Sequence, residues 1–280
     1  MEYQAMVKAV KSRVHRGYHT VVIEAFVVLL TTVLLTCFVF ASHGFAQQIS
    51  KKDQMRYKRV RTAYKQKEGL MKKLFEEKGL PYPPDKIFIR VFKEEKILGL
   101  WAFSDRDYRF HLVKRYPICL VPGRLGPKMQ EGDMQVPEGF YHINRFNPAS
   151  SFYLSLSINY PNASDRILGV RGNLGCDIFI HGSCATIGCI PITDTFIKEL
   201  YMVAVEAMES GQGKIPVHIF PAPLDEGGMA KLREEFSDSQ YPWLISFWEN
   251  LKIGYDYFEQ NRKLPSIRVD NKGRYIISTP

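Results

Sequence analysis

The stretch of sequence that decides the fold runs from Cys176 to Pro191 and reads CDIFIHGSCATIGCIP. Its first residues are mostly apolar, and this short run predicts a buried strand that ends at His181. The residues that follow are mostly small, which predicts a tight loop that leads to Cys189. Because Gly188 lacks a side chain, it lets the chain approach a neighbouring segment closely just before this cysteine. The sequence therefore predicts an imidazole fixed on a strand and a cysteine presented beside it.

This pairing predicts nucleophilic catalysis by a thiol. Such chemistry needs a thiolate, an imidazole that takes its proton, and backbone N–H groups that stabilise the oxyanion of the tetrahedral intermediate. We expect Cys189 to be the nucleophile and His181 its base, with the amide of Cys189 pointing at the substrate carbonyl. A helix capped by Thr193 or Asp194 would bring the positive end of its dipole near the sulfur and lower the pKa of the thiol.

Two other functions of the same residues stay open. Three cysteines and one histidine form a known structural zinc site, so Cys176, His181, Cys184 and Cys189 could bind zinc together. The short paired spacings that are typical of such sites are absent from this stretch. Alternatively, Cys176 and Cys184 could form a disulfide bond that leaves Cys189 free, or Cys184 could be a small buried residue without a partner.

The segments on both sides predict a mainly β domain. Short apolar runs separated by polar turns are typical of antiparallel hairpins. They predict strands at 87–92, 97–103, 108–118, 141–143, 153–157, 177–181 and 217–220. One helix, predicted from Thr193 to Gly211 by its apolar spacing, lies inserted among these strands.

The two ends of this domain are predicted to be helical. Apolar residues between 51 and 78 repeat at helical spacing, and three prolines shortly afterwards mark a boundary. Two helices and a final hairpin around Gly273 are predicted after Pro223. We therefore divide the chain into an export segment at 1–46, a basic helical segment at 47–85, a catalytic domain at 86–223 and a C-terminal extension at 224–280.

Residues 1–46 have the features of an export signal. Basic residues precede an apolar run at 21–41 whose only charged residue is Glu24. Gly44 and Ala46 stand two positions apart, as an export peptidase requires. The apolar run is also close to the length that spans a bilayer, so a retained membrane anchor stays open. In both cases the rest of the chain faces an oxidising, periplasm-like space.

Composition and charge argue against two further classes of protein. The chain of 280 residues is 45% hydrophobic and 13% aromatic, which is incompatible with intrinsic disorder. The formal net charge is +9, but residues 47–80 carry eleven Lys or Arg against four acidic residues, and the chain from 81 onward is neutral. A basic helix next to an export segment is more typical of a solvated surface, or of contact with anionic lipid or wall polymer, than of nucleic-acid binding. No nucleic-acid partner is expected.

Four further features follow one another in a fixed order along the chain. They are Gly123 to Lys128 with Glu131 to Asp133, then Pro137 to Tyr141, then Arg145 to Pro148 leading to Ser157 to Pro161, and finally His181 to Cys189. In this order they resemble the exported L,D-transpeptidase catalytic domains of the YkuD type, and within them the YafK-like branch. The resemblance covers residues 87–221, nearly half of the chain.

The resemblance implies a fold and a set of catalytic residues. The implied fold is mainly β with α: a YkuD-type β-sandwich catalytic domain with an inserted helix, an N-terminal helix and a helical C-terminal extension. Cys189 would be the catalytic nucleophile and His181 the base, with a backbone carbonyl near Gly182 holding the imidazole. In that family the thiolate attacks the amide of a cross-linking diamino acid in a wall peptide, and an amine or water resolves the acyl-enzyme. No cofactor and no metal are expected.

The sequence departs from the broad family in two places. His181 and Cys189 are only eight positions apart, which fits the YafK-like branch. Ile190 and Pro191 stand where many members carry an arginine, so another cation must bind the charged end of the substrate. The candidate substrate-binding residues are Arg124, Lys128 and Arg145, together with Gly188 beside the nucleophile.

We therefore predict an exported cysteine acyl-transfer enzyme that acts on peptidoglycan stem peptides at an L,D amide bond. Because the YafK-like branch includes an amidase that releases a wall-linked lipoprotein, hydrolysis is favoured over transpeptidation. The expected partners are stem peptides or such a lipoprotein, with membrane association through residues 21–41. The alternative is a non-catalytic wall-binding module in which His181 and Cys189 are structural.

Overall fold

The structure, a computed structural model, describes residues 50–175, 177–237 and 241–279. The predicted export segment at 1–46, with its apolar run at 21–41, lies outside the described residues, and so does Cys176. Within the described ranges, no helix combines the length and the apolar character needed to cross a bilayer.

Ten strands make up the β structure of the described chain. They are β1 (Ile87–Phe92), β2 (Ile97–Ser104), β3 (Arg109–Pro117), β4 (Gly139–Asn147), β5 (Ser155–Ile158), β6 (Phe179–His181), β7 (Ile190–Pro191), β8 (Ile215–Phe220), β9 (Ser266–Val269) and β10 (Tyr275–Ser278). The first eight form one sheet in the order β3-β2-β1-β8-β4-β5-β6-β7, and β9 pairs with β10 in a separate hairpin. The pairs β1–β8 and β6–β7 are parallel, and all other pairs are antiparallel.

Six helices accompany the strands in the described part of the chain. They are α1 (Lys51–Gln54), α2 (Lys58–Glu77), α3 (Ala163–Leu168), α4 (Thr193–Glu209), α5 (Glu226–Glu235) and α6 (Trp243–Asn261). The predicted mainly β fold with an inserted helix, an N-terminal helix and a helical C-terminal extension is confirmed. The inserted helix is α4, which begins at Thr193 as predicted.

The two faces of the sheet are covered by different helices. One face, with Ile89 and Val217, shares a core with α4 and with the apolar side of α2. The other face, with Phe140 and Phe220, packs against α5 and α6 in a second cluster around Trp248. Strand residues alternate between these faces, which explains why consecutive residues of β1 and β8 enter different clusters. The predicted C-terminal extension is therefore joined to the sheet by an apolar core.

The basic N-terminal segment packs on the domain through its apolar side. In α2, Val60, Met71 and Phe75 are fully buried. Two nearly buried acidic residues of α4 bind cations of the N-terminal helices: the Lys67 ammonium lies 3.1 Å from Glu199, and the Lys51 ammonium lies 2.5 Å from Glu206. Part of the excess charge is thus used in ion pairs with the domain, and the outward lysines and arginines form a solvated face.

A buried charge pair anchors the loop between β3 and β4. The ammonium of Lys93 lies 2.8 Å from Glu138, and both side chains are fully buried. Lys93 also donates to the carbonyls of Gly126 and Val136, at 2.8 and 2.9 Å. Glu138 accepts from the Gly126 amide and from the indole of Trp248, each at 2.7 Å. Every group of the pair has a partner, which is what a buried ion pair requires, and the loop is held at both of its ends.

Two elements were not predicted. The helix α3 is capped by Asn162 and Asp165, each of which accepts the other's backbone N–H through its side chain. This pattern was present in the sequence, but six residues are too few to show a helical period. The strand β7 has two residues, and its pairing with β6 is what defines it.

Candidate active site

His181 is a buried imidazole with one nitrogen left without a partner. The residue ends β6 and is 1% exposed, and the ring of Phe152 stacks on it with 4.5 Å between ring centroids. Its Nδ1 lies 2.5 Å from the carbonyl oxygen of Gly182, whereas Nε2 is buried without a hydrogen bond. A carbonyl only accepts, so Nδ1 carries the proton and Nε2 has a free lone pair. Burial lowers the pKa of His181, and the Gly182 carbonyl partly opposes this effect. The lowered pKa favours the neutral imidazole.

Cys189 is the free cysteine of the described chain, and its sulfur is half-buried. The sulfur accepts the N–H of Phe179 at 3.4 Å and donates to the carbonyl of Asp177 at 3.8 Å. Burial raises the pKa of the thiol, and the charge of Asp177 acts in the same direction, while the Phe179 amide and the charge of Lys128 oppose it. The thiol is therefore protonated in this arrangement, in contrast to the lowered pKa that we expected from the dipole of α4.

The nucleophile directly precedes β7, the strand that pairs with the strand of the base. In the register of β6 and β7, Ile180 pairs with Ile190 and His181 pairs with Pro191, so Cys189 lies beside Phe179. No hydrogen bond joins the Cys189 sulfur to His181 among the described contacts, although we expected one. The thiol instead makes its hydrogen bonds with the backbone groups of Phe179 and Asp177.

The amide of Cys189 is bound within its own loop. Its N–H donates to the hydroxyl oxygen of Thr186 at 2.8 Å, and the N–H of Gly188 donates to the same oxygen at 3.1 Å. The hydroxyl in turn donates to the carbonyl of Cys189 at 2.9 Å. The Cys189 amide, which we expected to point at a substrate carbonyl, therefore donates to Thr186 in this structure.

Gly188 lies against the backbone of the loop that precedes β4. Its φ of +141° is a conformation that L side chains rarely adopt, and a Cβ atom there would come within 3.0 Å of the carbonyl oxygen of Gln135. A side chain at this position would push the two segments apart. The close approach to Gln135 therefore explains why the position before the nucleophile requires a glycine, as predicted.

A disulfide bond joins Cys184 to Cys119, 65 positions earlier in the chain. The suggested bond between Cys176 and Cys184 is therefore wrong, and so is the zinc site that needed Cys184 as a thiolate ligand. The amide of Cys119 also donates to the carbonyl of Pro191 at 2.9 Å. Cys119 thus binds the nucleophile's loop on both sides of Cys189.

The three candidate cations lie in different environments. Lys128 is buried, and its ammonium donates to the carbonyl of Gln130 at 2.8 Å and to Asp133 at 2.6 Å. Arg145 is exposed and pairs with Asp177 at 2.7 Å, next to the carbonyl that receives the Cys189 thiol. The guanidinium of Arg124 lies 3.5 Å from the ring centroid of Tyr241, which precedes α6 in the C-terminal extension.

Sequence reasoning missed three residues that shape this site. Thr186 had a detectable signal, because a threonine three positions before the nucleophile can bond to backbone amides within a turn. For Cys119 the only signal was that it is a cysteine, since its disulfide partner lies 65 positions away in the sequence. Asp194 accepts the amide of Ser183 at 2.8 Å, so it ties α4 to the loop after His181 instead of capping its own helix.

Comparison with known proteins finds relatives by sequence and by structure. The chain is 39% identical over 196 residues to the Escherichia coli K12 protein "Putative L,D-transpeptidase YafK", and the match covers 69% of this chain and 74% of that protein. The protein of the same name from Escherichia coli O157:H7 matches equally well. No protein-family model matches the chain.

Two solved structures overlap with part of the fold. The helical cell shape determining protein Pgp2 from Campylobacter jejuni is 20% identical, with a TM-score of 0.40, and the overlap covers 67% of this chain and 74% of that one. Bdellovibrio bacteriovorus Bd1075 is 23% identical, with a TM-score of 0.36, and 62% of each chain is covered.

Proposed function

Since the chain belongs to the L,D-transpeptidase family, we propose that it is a cysteine acyl-transfer enzyme that acts on peptidoglycan stem peptides at an L,D amide bond. Cys189 is the nucleophile in this proposal and His181 is the general base. The observation that carries it is the buried Nε2 of His181, which has a lone pair and no partner. This lone pair is able to accept the thiol proton, and a catalytic role is one explanation for a buried polar atom without a hydrogen bond.

The reaction needs a small movement of the nucleophile. In the resting arrangement the thiol donates to Asp177, so it must leave that carbonyl and turn toward Nε2 of His181. Cys189 lies beside Phe179, so it is the diagonal neighbour of His181 on the same face of the sheet. Substrate binding next to the half-buried sulfur favours this turn, because it removes water and brings the carbonyl to be attacked.

The chemistry then follows in two balanced steps. His181 takes the thiol proton while the sulfur bonds to the amide carbon, and the tetrahedral intermediate collapses to a thioester as the amine leaves with that proton. Water or a second amine then gives a proton to His181 and attacks the thioester, which restores the thiol. The carbonyl of Gly182 keeps the imidazole in the required tautomer throughout, as a positioning group.

We favour water over an amine as the second reactant, and thus an amidase or carboxypeptidase over a transpeptidase. Support comes from the resemblance to the branch that includes an amidase releasing a wall-linked lipoprotein. The short distance in sequence between His181 and Cys189 is part of that resemblance. The partner is then a stem peptide, alone or linked to such a lipoprotein.

The proposed place of action is the cell envelope. The disulfide bond between Cys119 and Cys184 supports an oxidising compartment, because such bonds are rare in reducing cytosol. The export features of residues 1–46 agree with this, and the apolar run at 21–41 would provide membrane association if it is retained.

The test is turnover of isolated muropeptides by the full chain, with products identified by mass spectrometry. Shortened peptides indicate hydrolysis, whereas dimers or exchanged D-amino acids indicate transfer. Cys189→Ala should abolish turnover and His181→Ala should lower it by about 10² to 10⁴. Cys176→Ser is the matched control and should keep full activity. If the Cys189→Ala variant still turns over muropeptides, the proposed mechanism is wrong.

One observation favours a second candidate, a wall-binding module without catalysis. Burial raises the pKa of the Cys189 thiol, and the thiol donates to Asp177 rather than to His181, as an inert structural cysteine would. The module predicts sacculus binding that Cys189→Ala leaves intact, with no change in the muropeptides. The enzyme predicts a thioester on Cys189 that hydroxylamine releases.

A further inference from the structure

A cleft of about 640 Å³ lies between the loop that precedes β4 and the beginning of α6 in the C-terminal extension. Arg124 and Gln135 from the loop face Tyr241 and Trp243 across it. The backbone of Gln135 is the segment that Gly188 approaches so closely. The backbone of one wall of the cleft is therefore adjacent to Gly188, the residue before the nucleophile.

Gln135 presents an unsatisfied donor to this cleft. The side chain is 5% exposed, and its Oε1 accepts the N–H of Arg124 at 3.0 Å. Because that backbone group can only donate, the oxygen must face it and the NH₂ group must point the other way. Within the described ranges, Nε2 has no acceptor. Nε2 is not among the fully buried polar atoms that lack a partner, so it is open to the cleft, where it can donate to an acceptor supplied by a ligand.

Arg124 adds a positive charge that no described acidic group neutralises. Its guanidinium stacks on the ring of Tyr241, which fixes its plane and leaves its edge of N–H donors for a ligand. Asp133 also lines the cleft, but its carboxylate accepts from the Lys128 ammonium and from three backbone amides. The negative charge of Asp133 is therefore compensated by groups of its own loop. The cleft as a whole offers a cation and a neutral donor next to each other.

We propose that this cleft is a subsite for a free carboxylate of the substrate peptide. The Arg124 guanidinium and the Gln135 amide donate to the carboxylate, and Trp243 of the C-terminal extension forms an apolar wall beside it. The inference rests on the proposed function and deepens it. Ile190 and Pro191 follow the nucleophile and offer no charge, so a cation from another part of the chain takes this role, and the extension completes the subsite.

The experiment measures binding rather than turnover. The probes are the stem tetrapeptide with free carboxylates and the same peptide with its carboxylates converted to carboxamides. Calorimetric titration uses the full chain carrying Cys189→Ala, so that neither peptide is consumed. We expect the unmodified peptide to bind at least tenfold more tightly than the amidated one. Arg124→Gln should remove this difference.

Gln135→Glu is the sharper variant. It keeps the oxygen that accepts the Arg124 amide, so the loop is unchanged, but it replaces the donor with a negative charge. We expect it to weaken binding of the unmodified peptide at least tenfold and to leave the amidated peptide unaffected. Arg106→Gln, which makes at the exposed β2–β3 turn the same change as Arg124→Gln, is the matched control for that variant and should bind both peptides as the parent does.

The outcomes separate the subsite from the proposed function. If the wild-type chain turns over muropeptides but Arg124→Gln binds both peptides as the parent does, the subsite is wrong and the function stands. A loss with Arg145→Gln instead of Arg124→Gln would move the carboxylate to the other side of Cys189 and overturn the subsite. A chain that neither binds nor turns over the peptides refutes both.

Discussion

Thr186 and Cys189 are joined by hydrogen bonds in both directions. The Cys189 amide donates to the Thr186 hydroxyl oxygen at 2.8 Å, and that hydroxyl donates to the Cys189 carbonyl at 2.9 Å. The Gly188 amide converges on the same oxygen. One side chain thus fixes the peptide groups on both sides of the nucleophile's Cα atom. Two amides directed at one oxygen at about 3 Å are also the arrangement that stabilises an oxyanion.

Thr186→Val should lower kcat/KM at least tenfold while Thr186→Ser retains most of the activity. Valine has the same shape but leaves two amides and one carbonyl without their partner, so the loop no longer fixes the peptide groups around Cys189. The midpoint of thermal unfolding should change little, because the loop is half-exposed. Steady-state kinetics and a thermal melt on the same preparations check this. Equal activity of the valine and serine variants would show that the hydroxyl is dispensable.

Replacing both Cys119 and Cys184 by serine should lower the free energy of unfolding by roughly 2–4 kcal/mol, since the bond closes a loop of 65 positions. Activity should fall as well, because Cys184 lies in the loop that presents Cys189. Denaturant unfolding under non-reducing conditions, with a count of free thiols, is the measurement. Cys176→Ser should keep both the bond and the stability. A new free thiol in Cys176→Ser would instead indicate that Cys176 is bonded to Cys184, which contradicts the bond between Cys119 and Cys184.

Local patterns in the sequence predicted most of the fold. The strand at 87–92 and the helix beginning at Thr193 were predicted with the bounds and start that the structure has. The strand was predicted from a short apolar run between polar turns, and the helix from apolar residues at a helical period. Both signals are contained within a few neighbouring residues. The histidine at a strand end and the cysteine after a glycine were local in the same way.

The remaining features depend on contacts that are distant in sequence. Cys176 is near Cys184 along the chain, but the partner of Cys184 is brought to it by the sheet. Glu138 lies in a stretch rich in glycine and proline, which predicts an exposed loop, yet Lys93 and Trp248 enclose it from two other parts of the chain. No local pattern could reveal these partners. The same is true of the cleft that Gln135 shares with Tyr241.

The reactivity of Cys189 should rise with pH across the range from 7 to 9. Burial raises the pKa of this thiol and lowers the pKa of His181, so the neutral pair dominates at pH 7 and the thiolate is scarce. Iodoacetamide labelling of the peptide that contains Cys189, followed by mass spectrometry, measures this directly. His181→Ala should leave the labelling rate at pH 7 within about threefold and still abolish most turnover, because the resting thiol makes no hydrogen bond to the imidazole. A pH-independent labelling rate that His181→Ala destroys would indicate a preformed thiolate–imidazolium pair instead.

Glu138→Gln should destabilise the protein by about 3–5 kcal/mol, because it leaves the fully buried ammonium of Lys93 without a counter-charge. Trp248→Phe keeps the pair but removes one donor to Glu138, so its cost should be smaller, about 1–3 kcal/mol. The exposed pair of Lys231 and Glu94 provides the control, since Glu94→Gln should change stability by less than 1 kcal/mol. Denaturant unfolding of the variants gives these energies.

Combining Lys93→Met with Glu138→Gln tests whether the charge is the cause. With both charges removed, no uncompensated ion remains, so the double variant should be more stable than Glu138→Gln alone. It should nevertheless lose peptide turnover, because the Lys93 ammonium also binds the carbonyls of Gly126 and Val136 and so holds the loop that carries Arg124 and Gln135. A double variant as unstable as the sum of the single ones would mean that the two residues act independently, which their 2.8 Å contact argues against.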